Sequence, residues 1–198
     1  MLAELTTAWW RVCSRPSTDT FRQAASGTSH VKTFAGVLVA AILGVGLSWV
    51  AHWFLGDPQA EFMGLASVWV KTGTPAPVAN WVLLVPLGVV YGFYTFQIVL
   101  FLFARILGGR GSFGTQSYVQ SLFYGPLALV QQVVVVTPSV GRLLFALVAV
   151  GSLLPTTTSL KAAHGYSTVR AVLTWVLPVI LNVVVVIGVI VLMSRANG

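Results

Sequence analysis

The sequence has few charged residues, and very few of them are acidic. Charged side chains make up 8% of the 198 residues and hydrophobic ones 57%, and the mean hydropathy is +0.89. Because soluble domains carry about a quarter charged residues, this composition predicts an integral membrane protein. All four acidic residues precede residue 62 (Glu4, Asp19, Asp57 and Glu61). The rest of the chain therefore lacks the carboxylates that a proton relay or an acid-bound cation site needs.

Cysteine and clustered histidine are also scarce. Cys13 is the only cysteine, which excludes an intrachain disulfide and a cysteine zinc cluster. The three histidines, His30, His52 and His164, form no HExxH pair, and we expect them at different depths and on different sides of the membrane. With no nucleophile elbow or Ser/His/Asp set, we expect no enzymatic activity, no metal and no cofactor. One alternative stays open, in which His52, or in second place His164, ligates the metal of a haem or chlorin.

Long apolar stretches dominate what the sequence does contain. Five of them are each long enough to cross a hydrocarbon core of about 30 Å: residues 34–55, 81–104, 117–136, 142–163 and 169–193. The predicted fold class is therefore all-α, a polytopic bundle of five transmembrane helices.

Residues 1–33 precede the first span and are more polar. Four apolar residues fall there at helical spacing: Leu2, Leu5, Trp9 and Val12. This spacing allows a short helix on the membrane surface, and a partly ordered tail is the alternative. The Ser/Thr-rich stretch 16–29 is predicted to be a linker.

Basic residues are distributed unequally between the two sides of the predicted bundle. With the N-terminus inside, one side holds eight of them (Arg11, Arg15, Arg22, Lys32, Arg105, Arg110, Lys161 and Arg170) and the other three (Lys71, Arg142 and Arg195). The positive-inside rule then predicts a cytoplasmic N-terminus and an outside C-terminus. The expected location is a bacterial cytoplasmic membrane. Nucleic acid is not an expected partner, because no soluble segment has a basic stripe with interleaved aromatic residues.

Two polar breaks interrupt the apolar chain on the predicted cytoplasmic side. The first break, residues 108–114, reads GGRGSFG, and the second break, residues 164–170, reads HGYSTVR. A phosphate-binding loop would need a Lys-Ser/Thr pair, which the first break lacks, so a tight hinge is predicted. In the second break Gly165 suits the left-handed end of a helix and Ser167 suits the N-cap of the next. We expect the two breaks to pack against each other.

Cations surround these breaks. We call Arg105, Arg110, Lys161 and Arg170 the basic face, and we expect His164, near a helix C-terminus, to add a fifth charge. Anionic phospholipid is the simplest partner, and an acidic surface on another membrane protein subunit is the alternative. The predicted binding site combines the basic face with Gly108, Gly109, Gly111, Ser112, Phe113, His164, Gly165 and Ser167.

Polar and proline residues also occur within the predicted spans. We expect Gln97 and Asn182 to hydrogen-bond across helices. Each of the last four spans contains one proline (Pro86, Pro126, Pro155 and Pro178). Tyr124, Asn182 and residues 156–158 are candidates to donate to the carbonyls that these prolines leave unbonded. Such helices form either an irregularly packed bundle or the wall of a cavity for a lipid or small solute.

The two breaks carry a family resemblance. The glycine-rich residues 108–113 follow a second span, and residues 164–167 lead into a last span that opens Arg170-Ala171-Val172. In this the chain resembles the prokaryotic side of the Yip/Yif domain family over residues 34–193. The resemblance implies a five-span fold. Eukaryotic members act in early secretory trafficking and bind Rab-type GTPases through cytosolic regions, which the short N-terminal segment here does not match.

The expected function is therefore that of a non-enzymatic accessory or scaffold subunit that binds lipid or protein. A transporter with proline-kinked helices is the alternative, and a haem- or chlorin-binding subunit is a further one.

Overall fold

The computed structural model describes residues 2–55, 78–135 and 141–196, with some side chains, including those of residues 48–55, 78–85 and 132–135, outside the description. The described residues form helices and no strand: α1 (Leu2–Ser14), α2 (Thr18–Ala25), α3 (His30–Leu55), α4 (Val78–Ile106), α5 (Phe113–Val135), α6 (Gly141–His164) and α7 (Thr168–Ala196). The all-α class is confirmed for this part of the chain.

Four of the described helices are long and apolar enough to cross a membrane. The segments concerned are His30–Leu47, Pro86–Ile106, Leu143–His164 and Thr168–Arg195. They indicate an integral membrane protein, as the composition predicts. The third predicted span does form a helix, α5, but α5 is not among the four, because polar residues occupy much of its first half. Membrane crossing by this third span, and with it the total of five spans, therefore stays a prediction.

The helices α3 to α7 alternate in direction. At the start of α5, Gly114 lies against His30 at the start of α3. The backbone N–H of Gly111, just before α5, donates to His164 at the end of α6. The starts of α3, α5 and α7 therefore meet the ends of α4 and α6 at one end of the bundle, which we call the break end. Both breaks lie there.

Helix α5 is the centre of the bundle. Every residue from Gln116 to Phe123 is buried. The helix packs mainly against α3 and α6, and α1, α2 and α4 also contact it. Because neighbours surround this half of α5, its polar side chains face protein, which is compatible with its lower hydropathy.

The helix interpretation of the first residues is confirmed. Within α1, Leu5 and Val12 are buried, and the indole of Trp9 packs against Gly125 of α5. Leu5, Trp9 and Val12 of the predicted apolar stripe therefore face the bundle, Leu5 against α3 and the other two against α5. Whether α1 also lies at a membrane surface stays a prediction.

The linker predicted over residues 16–29 is wrong, since it contains α2. The Ser17 hydroxyl caps this helix by accepting a hydrogen bond from a backbone N–H three residues later. The Phe21 side chain is completely buried and meets Phe123 edge to face, with ring centroids 6.0 Å apart. One buried aromatic residue thus fixes a helix whose other residues are mostly polar.

The four span prolines all lie inside helices, from α4 to α7. The threonines after Pro155 donate to carbonyls of their own helix: Thr156 to Ser152, Thr157 to Leu153 and Thr158 to Leu154. The carbonyl that lacks its helical partner because of Pro155 is that of Gly151. These threonine hydroxyls therefore do not donate to the Gly151 carbonyl, contrary to the prediction.

Candidate functional site

A chain of hydrogen bonds joins α4, α5, α6 and the first break. The Gln116 side-chain amide donates to the side-chain oxygen of Gln97 at 2.9 Å and to its carbonyl oxygen at 3.0 Å. His164 Nε2 lies 2.8 Å from the Gln116 side-chain oxygen, and the Gly111 N–H donates to His164 Nδ1 at 3.2 Å. We call Gln97, Gln116, His164 and Gly111 the buried network. Its three side chains are at most 4% exposed.

These bonds define the state of His164. Its Nδ1 accepts a hydrogen bond, so the proton of the neutral ring sits on Nε2, which donates to Gln116. A protonated ring would place a donor against the Gly111 N–H. The expected fifth charge of the basic face is therefore wrong. The helix-dipole argument assumes contact with solvent, and this ring has almost none.

The surroundings of His164 are aromatic. Its ring stacks on Tyr166, with centroids 5.3 Å apart and planes 5° from parallel, and Phe101 lies 6.1 Å away. Burial raises the pKa of the Tyr166 hydroxyl above its usual value, and a hydrogen bond with Thr174 offsets only part of this increase. The Thr174 hydroxyl donates to the carbonyl of Arg170, so the Tyr166 hydroxyl donates to Thr174, at 2.8 Å. The second break is thereby fixed to α7.

The expected contact between the two breaks is confirmed, and two glycines permit it. Gly108 has a φ of +84°, in the left-handed region that favours glycine. At Gly111 a Cβ would overlap the carbonyl oxygen of Ala163 at the end of α6. The backbone N–H of Arg110 also donates to the His164 carbonyl, at 3.4 Å. The first break therefore lies directly on the C-terminus of α6.

The backbone amides of the first four residues of the first break are used internally. Those of Gly108 and Gly109 donate to carbonyls at the end of α4, and those of Arg110 and Gly111 donate to His164. A phosphate-binding loop needs free amides. The hinge interpretation is therefore supported over the phosphate loop.

The predicted helix caps at the second break are present. Gly165 has a φ of +67° where α6 ends. The Ser167 hydroxyl accepts a hydrogen bond from the Arg170 N–H at 3.5 Å, as an N-cap of α7 does. At the first break Ser112 caps α5 in the same way, accepting from Thr115 at 3.1 Å. Both breaks are thus closely defined turns.

Phe113 and Arg105 of the predicted site pack on one aromatic side chain of α4. The ring of Phe113 meets Phe101 edge to face at 5.6 Å. The Arg105 guanidinium lies 5.1 Å from the Phe101 centroid and donates to the carbonyl of Gly109 at 3.3 Å. This contact positions the Arg105 charge beside the first break.

The basic face has no carboxylate partner in the described part of the chain. The two described carboxylates pair elsewhere, Asp19 with Arg22 at 3.0 Å and Glu4 with Lys32 at 3.4 Å. The three arginines of the basic face are exposed and Lys161 is half-buried. Four positive charges therefore lie at the break end without neutralisation by those acids.

The three polar residues predicted within the membrane, Gln97, Tyr124 and Asn182, differ in their contacts. Gln97 bonds across helices as expected. Tyr124 is half-buried and packs on Phe93, with centroids 5.0 Å apart. Asn182 is exposed and makes no hydrogen bond in the described structure, so its expected bond across helices is not present.

Two partners in this region lie outside the sequence-predicted site. Gln116 links both sides of the buried network, and Trp175 of α7 donates to Thr157 of α6 at 3.1 Å. The sequence does contain a signal for Gln116, because Gln116 and Gln120 are four residues apart and place two carboxamides on one face of an apolar helix.

The histidines show no metal site in the described residues, where no group of three or more His, Cys, Asp or Glu could hold an ion. Both nitrogens of His164 are occupied, which argues against it as a haem ligand. His30 lies beside the first break, as His164 does, so these two are not on different sides. The side chain of His52 is outside the description, and its proposed haem or chlorin contact stays a prediction.

The chain matches no protein-family model, no curated protein and no solved structure. The resemblance to the Yip/Yif domain family therefore stays a prediction from the two breaks.

Proposed function

We propose that this chain is a non-enzymatic integral membrane protein that binds anionic phospholipid through its basic face. The observation that supports this is the group of four cations at the break end with no carboxylate partner among the described residues. A basic residue near an anionic bilayer surface contributes about 1 kcal/mol of attraction. Four such residues give an upper limit of about 4 kcal/mol for the preference over neutral lipid.

The proposed topology places this face in the cytoplasm. In it α3 to α7 are five spans, the break end is inside, and the C-terminus is outside in a bacterial cytoplasmic membrane. The supporting argument is the excess of basic residues on the break side. The proposed role, as in the sequence interpretation, is an accessory or scaffold subunit with a Yip-like membrane domain.

The test is lipid retention after mild detergent extraction. The double variant Arg110→Gln/Arg170→Gln removes two exposed charges of the basic face. Arg195→Gln is the matched control, because Arg195 lies at the other end of α7, about 38 Å away at 1.5 Å per residue. Native mass spectrometry would count the retained phosphatidylglycerol and phosphatidylcholine.

We expect the double variant to lose about tenfold or more of its preference for phosphatidylglycerol, and the control to keep it. High salt should weaken the wild-type preference, because exposed charges are screened. Equal retention of both lipids by the wild type would refute the proposal, as would an equal loss in the Arg195 control.

A further inference from the structure

The second half of α7 is exposed in the described structure. Its first half packs on α4 and α6, with Ala171 and Thr174 buried and Trp175 bonded to Thr157. From Val179 to Arg195, every residue whose side chain is described is exposed. Lipid chains can cover the apolar residues of this stretch at no cost.

Asn182 is the residue that lipid chains cannot satisfy. It lies at the middle of the apolar segment Thr168–Arg195, is exposed, and makes no hydrogen bond in the described structure. A carboxamide that has no hydrogen-bond partner in hydrocarbon is unfavourable by several kcal/mol. This position therefore points to a polar group from outside the described chain.

A second copy of the chain supplies that group without further conditions. A carboxamide both donates and accepts, so it is complementary to itself. Two copies with the same orientation in one membrane bring their Asn182 side chains to the same depth. Another protein would need a suitable polar residue at that depth.

The side of α7 that carries Asn182 suits a helix partner. Val186, Val189 and Met193 follow Asn182 by four, seven and eleven residues, which places them on one side of a helix. This side continues that of Trp175, which faces α6 earlier in the helix. Among the described residues, this side of α7 is exposed from Val179 onward.

We propose that two copies of this chain associate in parallel through the Asn182 side of α7, with the two Asn182 carboxamides hydrogen-bonded to each other. The proposal is independent of lipid binding by the basic face.

Cysteine cross-linking in native membranes tests the geometry, because Cys13→Ser removes the only native thiol. In that background Val189→Cys lies on the Asn182 side, and Val184→Cys, on the opposite side, is the matched control. Both valines are exposed, at 47% and 60%. We expect oxidation to give a disulfide-linked dimer with Val189→Cys and little dimer with Val184→Cys.

The contribution of the carboxamide is measured by dimerisation in lipid bilayers, using Förster transfer at graded dilution. Asn182→Leu should weaken dimerisation about five- to thirty-fold. Asn182→Gln should restore most of it, and Val184→Leu should have little effect.

Equal cross-linking at positions 184 and 189 would overturn the proposal. So would a Val189→Cys cross-link to a different protein, or a dimer that Asn182→Leu leaves unchanged.

Discussion

Replacing His164 by Phe tests the buried network. Phenylalanine keeps a flat ring that can stack on Tyr166, but it has no ring nitrogen. The variant therefore removes the acceptor of the Gly111 N–H and the donor to the Gln116 side-chain oxygen. The perturbation is selective for hydrogen bonding, because the aromatic contact is retained.

The expected loss follows from the two groups left without partners. Each buried polar group without a partner costs about 1–3 kcal/mol, so the free energy of unfolding should fall by about 2–6 kcal/mol. The side chain of His164 is only 4% exposed, so water has little access to replace either bond. A domain has about 5–15 kcal/mol of stability in total, so the loss should be easy to measure.

A double-mutant cycle with Gln116→Leu separates the network from general packing. Alone, Gln116→Leu leaves His164 Nε2 and the Gln97 side-chain oxygen without their partner. In the double variant neither His164 Nε2 nor the Gln116 oxygen exists to be left unpaired. We therefore expect the double variant to lose less stability than the sum of the single variants, by about 1–3 kcal/mol.

The assay is unfolding in mixed micelles, monitored by tryptophan fluorescence and circular dichroism. His30→Phe is the control, because His30 is an exposed histidine at the same end of the bundle. It should change stability by about 0.5 kcal/mol or less. Additive losses in the cycle, or a His164→Phe variant as stable as the control, would refute the network as described. Nitrogen-15 shifts of a labelled imidazole should also report Nδ1 as unprotonated.

Three further substitutions test local packing. Gly111→Ala should destabilise the protein by about 1–3 kcal/mol, because the added Cβ overlaps the Ala163 carbonyl oxygen. Gly108→Ala should destabilise it by about 1–2 kcal/mol, because Gly108 has a left-handed backbone conformation. Thermal unfolding in mild detergent measures both effects, and wild-type stability in either variant would contradict the close packing of the first break. Phe21→Ala should cost about 3–5 kcal/mol and release α2 from Phe123. Limited proteolysis should then cut near α2 faster than in wild type, and an unchanged cleavage rate would argue against this anchor.

The sequence predicts the helices of the bundle well, because long apolar runs end at charges and glycines. The predicted span 142–163 corresponds to α6 at Gly141–His164, and the predicted span 81–104 to α4 at Val78–Ile106. The contact between the breaks was also predictable, since topology and short turns bring them to one end. Membrane crossing by α5 is not decided by hydropathy, because its polar residues face protein.

The buried network was not predictable from sequence in the same way. Gln116 and His164 are 48 residues apart, and their bond depends on how α5 and α6 are rotated about their axes. Hydropathy patterns do not specify that rotation. The charge of His164 was wrongly predicted for a related reason, because a residue at a helix end can be either solvated or covered. Here the first break covers it.

The use of backbone amides inside the first break has a consequence for lipid selectivity. Gly108 to Gly111 direct their N–H groups at α4 and at His164, so they are not available to enclose a phosphate. The proposed recognition then depends on the side chains of three arginines and one lysine, whose positive charges attract anionic headgroups. Such attraction distinguishes anionic from neutral headgroups. Binding should therefore rank lipids by net charge and fall with ionic strength, while the buried network determines where those charges are held.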